Sequence, residues 1–137
     1  MQRAWRASES VLIFHPGLTK LLFTVHEFSL CRRIINIVEN AVARTPEQVV
    51  HKVVLCIGEL AGVDIASLKF WFPVAARNSR LQEAALEILH EKAEALCTNC
   101  HCQYVLVRYD ACCPNCQSFE KEILSGQEMQ VKNIEVI

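Results

Sequence analysis

Residues 97–116 are CTNCHCQYVLVRYDACCPNC, the most informative segment of the chain. It contains two Cys-x-x-Cys pairs, Cys97-Thr98-Asn99-Cys100 and Cys113-Pro114-Asn115-Cys116. Each pair lets two thiolates reach one ion from a tight turn, and two pairs complete the closed tetrahedron that structural zinc prefers. The segment between them, Gln103 to Tyr109, predicts a short strand that lets the chain fold back as a ribbon. We therefore expect Cys97, Cys100, Cys113 and Cys116 to bind one structural zinc ion, Zn²⁺.

Three other chemistries fit parts of the same pattern. Cys97 to His101 matches the attachment pattern of c-type haem, but haem attachment follows export, which the sequence does not support. A thioredoxin-like redox pair would leave the second Cys-x-x-Cys unused, and no βαβ pattern precedes either pair. An iron–sulfur cluster is compatible with the same four thiolates, and metal analysis distinguishes it from zinc.

Two further cysteines and one histidine lie just inside the predicted ligand pairs. Cys102 and Cys112 are interpreted as spare thiols that face each other across the ribbon. Cys112 is also a rival of Cys113 for the metal, although its spacing to Cys116 is one residue longer than the usual turn. His101 is interpreted as a neighbour of the site that faces solvent, and its imidazole offers a response to pH near neutrality.

Composition limits the class of protein. A chain of 137 residues is long enough for one modest core plus a small appendage held by a metal or disulfides. The formal net charge of -1 gives no basic stripe for nucleic acid or an anionic membrane. Six of the eight cysteines fall between Cys97 and Cys116, while Cys31 and Cys56 lie in apolar core segments. Because this spacing is metal-like and no apolar run is long enough to span a bilayer, we expect a cytoplasmic metal-binding protein.

Residues 1–24 differ from the rest of the chain. Arg3 and Arg6 precede an apolar run at 11–14, which resembles a weak signal peptide, but His15-Pro16-Gly17 breaks that run and no small-residue cleavage site follows. Export is therefore not expected. We predict that residues 1–24 are a non-native leader without regular structure.

Two helices are predicted before the cysteine pairs. Apolar residues recur at helical spacing from His26 to Arg44, and Thr45-Pro46 ends the pattern. Asp64 is a good N-cap for a second helix that carries large apolar side chains as far as Phe72. Pro73 should kink or shorten this helix, because an interior proline costs about 3 kcal/mol.

Three strands complete the prediction. Val49 to Leu60 is rich in β-branched residues and suits a strand buried on both faces. Leu86 to Glu91 alternates in polarity and leads directly toward Cys97, and an apolar strand after Gly126 returns to the main sheet. The result is an α+β fold, a small mixed sheet with two helices plus an inserted zinc-ribbon-like knuckle. The expected domains are an α+β domain of residues 25–93 with 127–137 and a zinc-binding domain of residues 94–126.

The N-terminal helix begins Val25-His26-Glu27-Phe28-Ser29-Leu30. From Val25 to Ile137 the chain resembles the HypA/HybF family of nickel metallochaperones, whose proteins begin Met-His-Glu and continue with Ser-Leu and a helix. Val25 lies where the family has its initiator methionine, as a GTG start codon would produce, so we expect the mature protein to start at position 25 as methionine. The other matching segments are Leu55-Cys56-Ile57-Gly58-Glu59-Leu60, Asp64 to Phe72, the two cysteine pairs and Met129 to Val136.

The resemblance implies nickel ligands in the α+β domain. Nickel binding in the family is attributed to the histidine that matches His26, with the residues that match Glu27 and Asp64 implicated in some members. The alternative interpretation of Glu27 is a first-turn acid favoured by the helix dipole, and that of Asp64 is a helix cap. His51 and His90 are interpreted as ordinary surface or core histidines.

Three departures from the family pattern lie outside these ligands. They are Pro73 in the second helix, Asn78-Ser79 where the family often has a Gly-Thr turn, and Gln117 where some members have a histidine. The missing histidine weakens any role for histidine in pH sensing at the zinc.

The resemblance also implies a function and partners. Such a protein binds Ni²⁺ as transferable cargo and delivers it, with an accessory GTPase of the HypB type, to the large subunit of a [NiFe] hydrogenase during maturation. A second copy of the chain is a candidate partner, as a homodimer, whereas nucleic acid and membranes are not expected. The rival interpretation is a zinc-ribbon interaction module without nickel transfer. An enzyme that uses His26 and Glu27 as an acid–base pair is disfavoured, since no nucleophile, phosphate loop or substrate pocket accompanies them.

Overall fold

The structure is a computed structural model that describes residues 3–14 and 26–136, and only the backbone of residues 3–14 and of His26. Its elements follow one another as β1 (Arg3–Phe14), α1 (His26–Ala41), β2 (Val50–Gly58), α2 (Ile65–Ala75), β3 (Ala85–Glu91), β4 (Glu94–Cys97), β5 (Gln103–Val105), β6 (Lys121–Ser125) and β7 (Met129–Val136). No helix in the described part of the chain is long and apolar enough to cross a membrane.

The strands form two separate sheets. The larger sheet has the order β1-β7-β2-β3, and the smaller sheet has the order β5-β4-β6. In the larger sheet β2 and β3 are parallel, with α2 in the connection between them, whereas β7 is antiparallel to both β1 and β2. Two helices, a mixed sheet and a small cysteine-bearing sheet confirm the predicted α+β class.

The main core lies between the two helices and one face of the larger sheet. Val53, Leu55 and Ile57 point from β2 toward the helices and are buried. On the opposite face Val54 is buried, whereas Lys52 and Cys56 are partly exposed, so the prediction that β2 is buried on both faces holds only in part, because both helices pack against the other face. The helices contribute the following buried side chains to this core: Leu30, Cys31, Ile34, Ile35, Val38, Leu68 and Phe72. Each large apolar side chain buried there stabilises the fold by about 1.5–3 kcal/mol.

The ends of the helices differ from the prediction. Helix α1 ends at Ala41 instead of Arg44. Beyond this end the guanidinium of Arg80 donates hydrogen bonds to the carbonyl oxygens of Val42, Thr45 and Gln48, which hold the loop between α1 and β2 in place. Helix α2 continues through Pro73, which is exposed, and ends two residues later at Ala75.

The strands around the cysteines also differ from the prediction. The strand predicted from Leu86 to Glu91 is confirmed as β3. It does not lead directly to Cys97, because that cysteine belongs to a separate strand, β4, in the other sheet. The strand predicted from Gln103 to Tyr109 is limited to β5, and β6 was not predicted at all. The last strand, β7, does return to the larger sheet, where it lies between β1 and β2.

The N-terminal segment contains a strand where none was expected. Residues 3–14 form β1, which pairs antiparallel with β7 and so satisfies hydrogen-bonding groups at an edge that would otherwise be open. The prediction of no regular structure is therefore corrected for these residues, while residues 15–24 and Val25 lie outside the described part of the chain. The interpretation of the segment as a non-native leader stays a prediction, as do the predicted domain limits.

A close backbone junction joins the two sheets. The Leu60 N–H donates to the Gly126 carbonyl at 2.8 Å, and the Gly58 N–H donates to the Glu128 carbonyl at 2.8 Å. The side chain of Leu60 is buried in the second apolar cluster, with Tyr104 and Leu106 of the smaller module. The Tyr109 hydroxyl adds a hydrogen bond to the Leu60 carbonyl at 3.2 Å. The end of β2 is thus part of the core of the cysteine-bearing module.

Candidate metal centre

The structure brings the four predicted zinc ligands together. The Sγ atoms of Cys97, Cys100, Cys113 and Cys116 all lie within 4.8 Å of one another. Cys97 lies at the end of β4, and both it and Cys113 are fully buried, whereas Cys100 and Cys116 are half-buried. Cys112 is not a member of the cluster, and no other group of three or more metal-ligating side chains occurs in the described residues.

The two Cys-x-x-Cys turns have the same backbone conformation. The His101 N–H donates to the Cys97 carbonyl at 2.9 Å, and the Gln117 N–H donates to the Cys113 carbonyl at 2.8 Å. Both residues that follow the turns adopt positive φ, 63° for His101 and 61° for Gln117. A left-handed residue at this position turns the chain away from the metal centre and is unfavourable for a side chain with a Cβ. The two turns therefore present their thiols in matching ways.

Asn99 and Asn115 link the two turns to each other. The Asn99 side-chain amide donates to the Cys116 sulfur at 3.5 Å, and the Asn115 amide donates to the Cys100 sulfur at 3.4 Å. Sequence reasoning missed both asparagines, although they occupy the same position in the two pairs. The Asn115 hydrogen bond is the main reason that the pKa of Cys100 falls to about 6, and the Asn99 hydrogen bond likewise lowers the pKa of Cys116.

The two buried cysteines behave differently. A backbone N–H of Cys100 favours the thiolate of Cys97, but burial and the thiols of Cys116 and Cys100 outweigh it and raise the pKa of Cys97. The pKa of Cys113 is also raised, because burial and the thiol of Cys100 outweigh the backbone N–H groups that favour its thiolate. The pKa is therefore lowered at the two half-buried cysteines and raised at the two buried ones, and a cation at the centre would favour the thiolate form of all four.

The donor set tests which ion the site fits. Four sulfur donors in a closed, largely buried cluster match a structural zinc site, which leaves no position open for substrate. The same set is compatible with iron–sulfur chemistry, so the geometry establishes a thiolate metal site without deciding between the two metals. A metal ion held by these four sulfurs would offset part of the negative charge of the thiolates and would hold the two turns together.

Loss of the asparagine amides should weaken metal retention. In Asn99→Ala/Asn115→Ala we expect zinc affinity to fall by about 10–100-fold, the range for removal of hydrogen bonds to metal ligands. Competition with a chromophoric chelator measures this change. Thr98→Ala is the matched control, since its exposed side chain lies in the same turn but donates to no thiol. Equal affinities for the double variant and the control would contradict a role of the amides.

The predicted nickel residues lie at the starts of the two helices and outside the thiol cluster. Glu27 is in the first turn of α1, and its carboxylate accepts a hydrogen bond from the Asp64 backbone N–H at 3.4 Å. Asp64 is the N-cap of α2, and its side chain accepts from the Ser67 N–H at 3.2 Å. The structure therefore brings Glu27 and Asp64 together, although both also fill the structural roles of a first-turn acid and a helix cap. The side chain of His26 lies outside the described part, and His51 and His90 are exposed.

Two further cysteines, a histidine and a tyrosine lie near the thiol cluster. Cys102 and Cys112 are half-buried, and the Cys102 thiol donates to the Gln103 carbonyl at 3.7 Å. His101 is exposed. The hydroxyl of Tyr104 is buried and has no hydrogen-bond partner among the described residues. Burial, followed by the nearby thiolates, raises the pKa of Tyr104.

Comparison with known proteins gives one consistent family. Residues 25–136 match a family model described as HypA, hydrogenase/urease nickel incorporation, metallochaperone. "Hydrogenase maturation factor HypA" of Francisella philomiragia is 52% identical over 110 residues, which cover 80% of this chain and 97% of that protein. The protein of the same name from Alkalilimnicola ehrlichii is 35% identical over 112 residues, covering 82% of this chain and 99% of that protein.

Two solved structures resemble this fold. The solution structure of the Ni metallochaperone HypA from Helicobacter pylori has a TM-score of 0.57 and 25% identity, with 79% of this chain and 94% of that chain covered. A second structure, titled "Solution structure of HypA protein", has a TM-score of 0.61 and 26% identity, with 83% of this chain and 98% of that chain covered. The similarity spans both the layer of helices and the cysteine-bearing module.

Proposed function

Because the chain belongs to the HypA family of hydrogenase-maturation nickel metallochaperones, we propose that it carries Ni²⁺ at the start of α1 and delivers it to the large subunit of a [NiFe] hydrogenase. An accessory GTPase of the HypB type takes part in the delivery. His26, Glu27 and Asp64 hold the nickel, and the four clustered cysteines hold structural zinc. The protein acts as a carrier and catalyses no reaction.

The contact between Glu27 and Asp64 is the observation that carries this proposal. These residues are far apart in sequence, yet the carboxylate of Glu27 reaches the backbone N–H of Asp64 at 3.4 Å. The starts of α1 and α2 therefore meet, with two carboxylates next to the position of His26. The positive ends of two helix dipoles disfavour a cation there, and the carboxylates offset this effect. Because the helix dipoles and the carboxylates act in opposite directions on a bound cation, the site suits an ion that must be released.

An N-terminal amine would complete the nickel site. In a protein that starts at position 25, the α-amine, the backbone nitrogen of His26 and its imidazole supply adjacent nitrogen donors. A planar set of nitrogen donors suits Ni²⁺. Residues upstream of position 25 would convert the amine into an amide, so the start site decides whether this donor exists. A family match that begins at residue 25 supports the shorter protein.

The two proposed sites have opposite tasks. A closed set of four thiolates retains its ion, whereas an exposed site with few strong ligands can exchange its ion with a partner. Zinc therefore stabilises the module formed by the smaller sheet, and nickel is the cargo.

Nickel titration of the protein that starts at position 25, with a His26→Ala variant, tests the proposal. We expect one Ni²⁺ per chain in the wild type and a fall of more than about 100-fold in nickel affinity in His26→Ala. This fall would exceed the effect of removing a residue that only hydrogen-bonds to a metal ligand. Isothermal titration calorimetry measures affinity, and visible absorption reports planar Ni²⁺. Intact mass of the native protein establishes whether the α-amine lies at position 25.

His51→Ala is the matched control, because this histidine is exposed on β2. Equal nickel binding by the protein with and without His26 would overturn the carrier proposal and favour a zinc-ribbon interaction module. A native mass that begins at residue 1 would remove the α-amine from the proposed ligands.

A further inference from the structure

Three aromatic side chains form a cluster on the two helices, in which Phe70 and Trp71 are exposed and Phe28 is partly buried. The Trp71 ring lies edge-on to Phe28, with centroids 5.5 Å apart, and edge-on to Phe70, with centroids 5.0 Å apart. Phe70 is 67% exposed and Trp71 is 39% exposed. Phe28, Phe70 and Trp71 are here called the aromatic patch. Adjacent exposed aromatic rings mark a surface suited to contact with another molecule.

The aromatic patch adjoins the proposed nickel site. Phe28 directly follows Glu27 in the first turn of α1, and Trp71 belongs to the helix that Asp64 caps. At 1.5 Å per residue, Trp71 lies about 10 Å along α2 from that cap. A protein seated on the aromatic patch therefore reaches the cargo site without any movement of the fold.

The charges around the aromatic patch are of both signs, since Asp64 is exposed at the cap of α2. Among the described side chains of α1 and α2, the exposed charged residues are Arg32, Arg33 and Lys69, all basic. The carboxylates of Glu27 and Glu39 on α1 are only partly exposed. Aromatic residues and arginine are the types that dominate the energetics of protein interfaces. Arg32 lies one turn of α1 after Phe28, and Lys69 directly precedes Phe70, so both fit acidic residues beside the apolar anchors of a partner segment.

We propose that the aromatic patch docks an acidic segment with apolar anchors on the hydrogenase large subunit, the protein that receives the nickel. This inference rests on the proposed function, because direct transfer requires the receiving ligands to come within contact distance of the bound ion. A surface next to the ion meets that requirement. An anionic membrane would also match aromatic and basic side chains, but the chain's net charge of -1 gives no general attraction to one.

The test uses the full chain and one matched pair of substitutions. Phe70→Ser removes an aromatic ring from the patch, and Phe119→Ser removes a ring of equal exposure, 66%, from the zinc module. The probe is the purified precursor of the large subunit, with affinity measured by biolayer interferometry. We expect Phe70→Ser to raise the Kd by about thirtyfold, as truncation of an interface hot spot does, and Phe119→Ser to leave it unchanged.

Charge and folding controls accompany this pair. Lys69→Glu should also weaken binding to the large subunit, and a higher salt concentration should slow its association. Lys132 lies on β7, so Lys132→Glu should have little effect on this binding. Thermal unfolding and nickel titration of each variant should match the wild type, since Phe70 and Lys69 are exposed.

Several outcomes would overturn the proposal. The first is that Phe70→Ser binds the large subunit as tightly as the wild type, and the second is that Phe70→Ser and Phe119→Ser lose the same amount of affinity. The third is that Phe70→Ser loses affinity only for the purified accessory GTPase, and the fourth is that it loses affinity only for phosphatidylcholine–phosphatidylserine vesicles. If the wild-type protein binds nickel but no large subunit, the delivery step of the proposed function fails together with this inference. If the wild-type and Phe70→Ser proteins bind the large subunit equally, only the docking surface is wrong.

Discussion

Cys113→Ser should abolish zinc retention and unfold the cysteine-bearing module, whereas Cys112→Ser should do neither. Only Cys113 belongs to the thiol cluster, and its side chain is fully buried. Binding of structural zinc supplies about 10–16 kcal/mol to small modules of this kind, and a hydroxyl does not replace a thiolate. We expect the module to lose its fold without the ion, because its buried apolar cluster is small. The members of this cluster are Leu60, Ala93, Ala95, Cys97, Tyr104, Leu106 and Cys113.

Two measurements distinguish the variants. Zinc content by mass spectrometry should be one ion per chain in wild type and Cys112→Ser, and near zero in Cys113→Ser. Amide hydrogen exchange should become fast in β4, β5 and β6 but stay slow in α1 and β2, which have their own core. Full zinc content in Cys113→Ser would show that the four-sulfur assignment is wrong, and iron in the wild-type protein would favour the iron–sulfur alternative.

Gly58→Ala should cost more than about 4 kcal/mol of stability or prevent folding, a loss in the range that indicates a severe steric defect. A Cβ at position 58 would lie 2.1 Å from the carbonyl oxygen of Gly126 and 2.3 Å from its carbonyl carbon. The backbone has no room to yield, because that same carbonyl accepts the Leu60 N–H at 2.8 Å. Soluble yield and the urea midpoint measure the effect.

Gly62→Ala is the control for Gly58→Ala. Gly62 has φ +72°, but a Cβ added there would meet no atom within 4 Å. Only backbone strain of about 1–2 kcal/mol is therefore expected in Gly62→Ala. A Gly58→Ala protein as stable as the Gly62→Ala protein would mean that the junction between the sheets is loose.

Local patterns predicted much of the fold, and long-range contacts account for the differences. The spacing of Leu30, Ile34 and Val38 predicted the buried face of α1, and the Asp64 cap was visible in the sequence. The break between β3 and β4 was not, because nothing local reveals that Ala93 packs against Gly126 across the junction. Strand β6 was missed for a related reason, since it is stabilised by pairing with β4 and has no strong pattern of its own.

In the candidate sites, too, local sequence predicted some features, whereas others depend on long-range contacts. The cysteine spacing predicted the members of the thiol cluster, including the choice of Cys113 over Cys112. It did not predict the crossed hydrogen bonds of Asn99 and Asn115, because each amide reaches a sulfur of the other turn. Likewise, the contact between Glu27 and Asp64 depends on how the two helices pack.

The position of β7 has a consequence for synthesis on the ribosome. This strand is made last, yet it lies inside the larger sheet and contributes four buried side chains, those of Met129, Val131, Ile134 and Val136. At about 5–20 residues per second, the interval between translation of Cys116 and of Val136 is about 1–4 s. The thiols of the proposed zinc site are therefore made before the layer that carries the proposed nickel site can close. A message truncated before β7 would yield a chain with an open β2 edge and an exposed core, which cellular proteases should remove.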